Sequence, residues 1–144
     1  MSETIIEFNK ANISFELKYK TKLRAWIEET IKKEGFKLEH LSYVFCDDKY
    51  LLKLNKEYLN HDTYTDIITF DYGEMKGMIN GEIYISIDRV KDNAKEFKSL
   101  FLNELYRVMI HGILHLCGYK DKTLKHQKEM REKEDFYLSC LILQ

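Results

Sequence analysis

The stretch His111–Asp121, H-G-I-L-H-L-C-G-Y-K-D, decides how the rest of this chain is read. His111 and His115 stand four residues apart among Val108, Met109, Leu114 and Leu116, a setting that predicts a helix packed on a core. At that spacing two side chains share one helix face, their Cβ atoms about 6 Å apart, so two imidazoles can close on one cation. Gly118 predicts a left-handed exit that turns the chain back. Asp121 follows three residues later, a span of at most about 10 Å, and is a candidate third ligand. His126 is the other candidate, reached only if the start of the last helix abuts the ion. Three protein ligands and an open position are the pattern of a catalytic zinc, whereas a structural zinc is closed by four. The residue after the first histidine is Gly112, so the glutamate base of an H-E-x-x-H metalloprotease is missing.

Outward from that helix the chain alternates strands and helices. Residues 4–8 read as a first strand. The stripe Leu23, Trp26, Ile27, Thr30 and Ile31 predicts a helix over 18–34, stopped by Gly35. Leu38–Cys46 reads as a second strand. Asp47-Asp48 caps a helix carrying Leu51, Leu52, Leu54 and Tyr58. A third strand is expected over Asp66–Tyr72, a glycine-rich turn with an Asn-Gly pair over 73–81, and a fourth strand over Gly81–Ile87. Asp88 is expected to cap a short helix to about Phe97, and Ser99 to cap the histidine helix. A last helix over about 123–142, capped by Thr123, carries Met130, Tyr137, Leu138 and Leu141 on one side. Four strands among about five helices give an α+β or α/β class in one domain spanning 1–144.

Composition narrows the function classes. With 44% hydrophobic and 33% charged residues the chain is globular and large enough to bury a core. Cys46, Cys117 and Cys140 are odd in number, scattered and free of any C-x-x-C, which predicts reduced thiols in a cytoplasmic protein. Cys117 reads as a small buried hydrophobe rather than a ligand. No signal peptide or membrane-length apolar run is evident. A net charge of −1 is not that of a general nucleic-acid binder, so any RNA has to be held by a local patch.

The histidine stretch resembles the H-G-x-L-H-L-x-G-Y-D-H signature of the YbeY family, matching from His111 to Tyr119. Leu54-Asn55…Tyr58 followed by Thr65-Asp66-Ile67-Ile68-Thr69-Phe70 resembles its L-N-x-x-Y…T-D-V-L-S-F segment. Gly81-Glu82-Ile83-Tyr84-Ile85-Ser86 resembles its G-E-I-x-I-S strand, and Glu104…Arg107 precedes the histidines as in relatives. Lys120 departs from the family's Asp, Asp121 from its third histidine, and Leu59 from the arginine usual after the tyrosine. The resemblance implies an α+β fold, a small mixed four-stranded sheet with the metal helix beside it. It also implies one Zn2+ per chain, held by His111, His115 and Asp121, the last favoured over His126 because its offset matches the family position. The activity it implies is that of a single-strand-specific endoribonuclease acting in rRNA (16S 3′ end) maturation and ribosome quality control. The expected partners are single-stranded rRNA and the small ribosomal subunit, with no membrane and no DNA. The alternatives are a non-catalytic, metal-stabilised ribosome-assembly factor and a small metallopeptidase or other metallohydrolase.

Other residues carry chemistry less specifically. Glu104, seven before His111, shares its helix face, but a partner for Arg107 or a cap is the plainer reading. Asp66 is as well explained by the turn into a strand as by function. His61 and His126 read as surface. Lys120, Lys122, Lys125, Lys128, Arg131 and Lys133 could track a phosphate backbone, although a solvated helix face is the commoner meaning. Tyr64, Tyr72 and Tyr119 could stack on bases or pack the core. No general base is evident, and the catalytic residues stay unassigned.

Overall fold

The structure, a computed structural model, describes residues 5–143. The chain runs β1 (Ile6–Ala11), α1 (Lys20–Lys33), β2 (Lys37–Cys46), α2 (Asp48–Leu59), β3 (Ile67–Asp71), β4 (Met78–Ser86), α3 (Ile87–Glu96), α4 (Phe101–Leu116) and α5 (Leu124–Ser139). The four strands form one sheet in the order β1-β2-β4-β3. Here β1 and β2, and β2 and β4, are parallel, while β3 pairs antiparallel with β4 as an edge. This is the α+β class with a small mixed sheet. Thr4, placed in the first strand by sequence, lies outside the described residues.

The helix that organises the fold is α4. From Glu104 to Leu116 every residue is buried except Arg107, His111 and His115, which recur every four positions. A helix apolar almost all round has to be covered almost all round. The sheet takes one side, where Tyr43 donates its hydroxyl to the Met109 carbonyl at 2.8 Å. Gly112 lets helix and sheet approach there: a Cβ would stand 2.9–3.0 Å from Ile83 and Ile67 side-chain atoms. The stripe expected on α1 is buried as read, and Trp26 Nε1 ties α1 to the Tyr137 carbonyl of α5 at 2.7 Å. Glu34, the C-cap of α1, accepts from the hydroxyls of Tyr119 and Tyr137 and from Lys133 Nζ, joining three segments.

Local expectations fail where a residue has tertiary work instead. The Asn80-Gly81 pair lies inside β4, not in a turn, because Gly81 packs under Leu116 and beside the Phe70 carbonyl. The turn is completed earlier, at Gly77, whose φ is +86°. Ser86, not Asp88, caps α3, accepting from Arg89 N at 3.2 Å, while Asp88 accepts from the Asp48 amide across the fold. Ser99 does not cap α4, because its own N–H closes the end of α3 on the Ala94 carbonyl; Leu100 is the N-cap, without a side-chain bond. On α2 the buried polar residue is Asn55, and Tyr58 is exposed.

Candidate metal centre

The uncovered stripe of α4 presents His111 and His115 to the segment that follows the helix. Their rings meet edge to face, with centroids 4.6 Å apart. Gly118, at φ +102°, ends α4 in a paired turn: its N–H bonds the His115 carbonyl and the Tyr119 N–H bonds the Leu114 carbonyl. That reversal returns Asp121 to the histidines. Its Oδ2 lies 3.3 Å from His111 Nε2 and 3.3 Å from His115 Nε2. Among the described residues, His111, His115 and Asp121 form the group of ligand-type side chains that could hold a metal ion, their donor atoms all within 4.8 Å of one another. A tetrahedral ion with ligand distances of about 2.0–2.1 Å sets its ligands roughly 3.3 Å apart, which is the separation of Asp121 from each imidazole. The donor set therefore fits a divalent ion. His126 lies elsewhere, its N–H bonded to the Thr123 cap, beside Glu34, Cys117 and Tyr119.

Behind His111 stands a residue that the sequence reading missed. Glu134 of α5 is buried and accepts from His111 Nδ1 at 2.6 Å. Its other oxygen accepts from Arg107 Nη1 at 2.8 Å, and Arg107 Nη2 reaches Asp135 at 2.7 Å. With its Nδ1 proton held by Glu134, His111 keeps the Nε2 lone pair turned toward Asp121, the arrangement that orients metal-binding imidazoles. A signal for Glu134 existed: it falls between Met130 and Tyr137 on the buried stripe of an otherwise charged helix. Arg107 is thus a brace for Glu134 and not the partner of Glu104.

The cleft beside this group, about 300 Å³, is walled by Asp66, Glu104, His111, Asp121, Arg131 and Glu134. Burial would lower the His111 pKa, but the bond and charge of Glu134, with Asp121 and Asp66, outweigh it and raise the pKa. Burial raises the carboxyl of Asp66, which accepts from Asn93 Nδ2 at 3.3 Å. Burial, then the charge of Asp66, raises Glu104. Asp66 is therefore a wall of the cleft and not only the turn into β3. Of the other sequence candidates, Tyr119 serves Glu34, Tyr72 donates to Glu82, and Tyr64 lies under Arg89. His61 and Leu59 are exposed, as are Lys120, Lys122, Lys125 and Lys128, while Lys133 pairs with Glu34. Cys117 is half-buried against the core, and burial pushes its thiol up to about 12.

A mixed α/β sheet crossed by a helix that aims two histidines at a following carboxylate defines a class of candidate metallohydrolase. Comparison with known proteins narrows it. A family model for Endoribonuclease YbeY matches residues 5–141. The chain is 51% identical over 139 residues to Endoribonuclease YbeY of Cytophaga hutchinsonii, covering 96% of this chain and 97% of that one. It is 48% identical to the Amoebophilus asiaticus protein of the same name, covering 96% and 94%. A Thermotoga maritima protein of known solution structure superposes with a TM-score of 0.65 at 34% identity, over 93% of this chain and 87% of that one. The chain belongs to the endoribonuclease YbeY family.

Proposed function

We propose that this chain is a zinc-dependent endoribonuclease that hydrolyses phosphodiesters of single-stranded RNA, with His111, His115 and Asp121 holding one zinc. The observation that carries this reading is the convergence of two imidazole Nε2 atoms on one Asp121 oxygen, with Glu134 locking His111 from behind. A zinc there would supply a nucleophilic water at neutral pH and polarise a phosphoryl oxygen. The chain's own residues do the rest. Glu134 fixes the tautomer and aim of His111, and Arg107 holds Glu134 in place. Asp66 and Glu104, both raised by burial, are the cleft carboxyls able to hold a proton beside the site. Arg131 stands at the rim, and none of the ion pairs among the described residues engages it.

The glutamate base of an H-E-x-x-H peptidase has no counterpart, because position 112 faces Ile83 and Ile67 of the sheet and not the histidines. No helix among the described residues is long and apolar enough to cross a membrane. The family resemblance extends the proposal to rRNA, the 16S 3′ end in particular, and so to ribosome quality control on the small subunit in the cytoplasm. The test is an RNA carrying a paired and an unpaired segment, incubated with the purified protein with and without chelator. Cleavage confined to the unpaired segment and abolished by chelator is expected. Intact RNA under zinc-loaded conditions would favour a non-catalytic assembly factor.

A further inference from the structure

A second hollow, a groove of about 600 Å³, lies between the start of α4 and the end of α5. It runs on from the metal cleft, the two sharing Glu104, Arg107 and Arg131 as a common wall. Its size is within the roughly 300–1,000 Å³ of small-ligand sites. Its floor and far lip are apolar, with Leu138, Leu141 and Leu143, and Phe97 stands on the lip 63% exposed. Beside the charged Glu104, Arg107, Arg131 and Asp135 it offers neutral hydrogen-bonding groups, Ser99, Asn103 and Ser139, with Tyr106 in its lining. Tyr106 is 4% exposed, yet its hydroxyl finds no partner. Of its acids, Asp135 shares Arg107 with Glu134, and burial raises the Glu104 pKa.

We propose that this groove is a nucleotide subsite, resting on the RNA reading above: one unpaired base flanking the scissile bond lies in it, and Arg131 takes that nucleotide's phosphate. The chemistry matches part by part. A nucleobase is a flat, neutral, amphipathic body that stacks on an exposed aromatic ring such as Phe97 and hydrogen-bonds at its edge. Arg131, at the junction of cleft and groove, is where the backbone linking the two nucleotides would pass, and a guanidinium binds phosphate with two donors. The groove therefore sets how a strand is threaded past the metal centre, and asks that the flanking base be unpaired.

The experiment uses the full chain with EDTA present, so that binding is read without cleavage. The probe is a fluorescent single-stranded RNA hexamer, compared with the same hexamers each made abasic at one internal position, by anisotropy. Phe97→Ala should weaken hexamer binding at least about fivefold, the range of a lost base–aromatic stack. Arg131→Gln should weaken it similarly and flatten its salt dependence, since one phosphate contact is gone. One abasic hexamer should bind the parent as weakly as Phe97→Ala does, and Phe97→Ala should bind both equally. Both replaced side chains are exposed, and unchanged unfolding temperatures confirm that the fold is retained. Parent-like affinity in both variants, with the zinc-loaded parent still cleaving RNA, overturns the subsite and leaves the endoribonuclease reading intact. A parent that neither binds nor cleaves the hexamer overturns both. A dimer in solution that Leu141→Glu dissociates, with no abasic effect, gives the groove to a second copy of this chain and overturns the subsite.

Discussion

Replacing Glu134 by alanine removes the group on which His111 and Arg107 both lean. Its side chain is 6% exposed and sits 2.6 Å from His111 Nδ1 and 2.8 Å from Arg107 Nη1. Truncating one partner of a fully buried ion pair costs about 3–5 kcal/mol, because the other charge stays buried and uncompensated. Arg107, however, is 22% exposed and retains Asp135. Water and Asp135 together reduce the expected loss to about 2–3 kcal/mol. For a domain of this size each kcal/mol lowers the midpoint by about 2–4 °C, so a fall of roughly 4–12 °C in metal-free protein is expected. The second consequence separates a mere brace from a residue that serves the site. Without a partner on Nδ1, His111 can protonate Nε2 or rotate, and zinc affinity should drop about 10–100-fold. Thermal unfolding of the metal-free protein measures the first effect, and competition with a chromophoric zinc chelator the second. Glu134→Gln keeps the volume and one acceptor, so it should fall between. A Glu134→Ala protein that melts early yet binds zinc with parental affinity would refute the assignment of Glu134 to the metal centre.

Further outcomes follow from named contacts. Asp121→Ala should cut zinc affinity sharply, Asp121→His should retain the metal, and His126→Ala should change little; a chelator competition on the three variants decides between the two candidate ligands. Gly81→Ala should destabilise by about 3 kcal/mol or more, since its Cβ would sit 2.6 Å from the Phe70 carbonyl oxygen, a backbone atom. Gly112→Ala should cost less, about 1–2 kcal/mol in denaturant titrations, since the opposing atoms are side-chain atoms of two isoleucines and alanine favours the helix. Burial would raise the Glu34 carboxyl, but its bonds from Tyr137 and Tyr119 and the charge of Lys133 outweigh that and lower it below 4.5. A depressed carboxyl contributes stability above its unfolded pKa that is lost as pH falls through the folded one. Glu34→Gln should therefore be less stable than the parent at neutral pH, and the gap should close below about pH 4.5, measured by unfolding across pH.

How much of this was legible in the sequence depends on how local each cause is. The α1 stripe, the Asp47 and Thr123 caps, the Gly118 reversal and the His111–His115 spacing each rest on residues within a few positions, and each stands in the structure. Asn80-Gly81 misled because its turn chemistry is overridden by Leu116 and Phe70, partners distant in sequence or on another strand. The strand order β1-β2-β4-β3 leaves no local trace, since parallel pairing is made across whole intervening helices. At the site the two histidines and Asp121 could be named as candidates in advance, while Glu134 left only a faint signal. Its role exists only once α5 packs on α4, and in a helix of alternating lysine and glutamate one buried carboxylate looks like the rest until its register with Met130 and Tyr137 is noticed.

Whether one zinc held by His111, His115 and Asp121 enables RNA cleavage is decided by titrating zinc into metal-free protein while recording cleavage of a single-stranded RNA. Expected are no cleavage without metal, a linear rise that saturates at one zinc per chain, and no rise in His115→Ala over the same range. Cleavage at full rate in excess chelator, or a parental titration curve in His115→Ala, would contradict this role of the zinc.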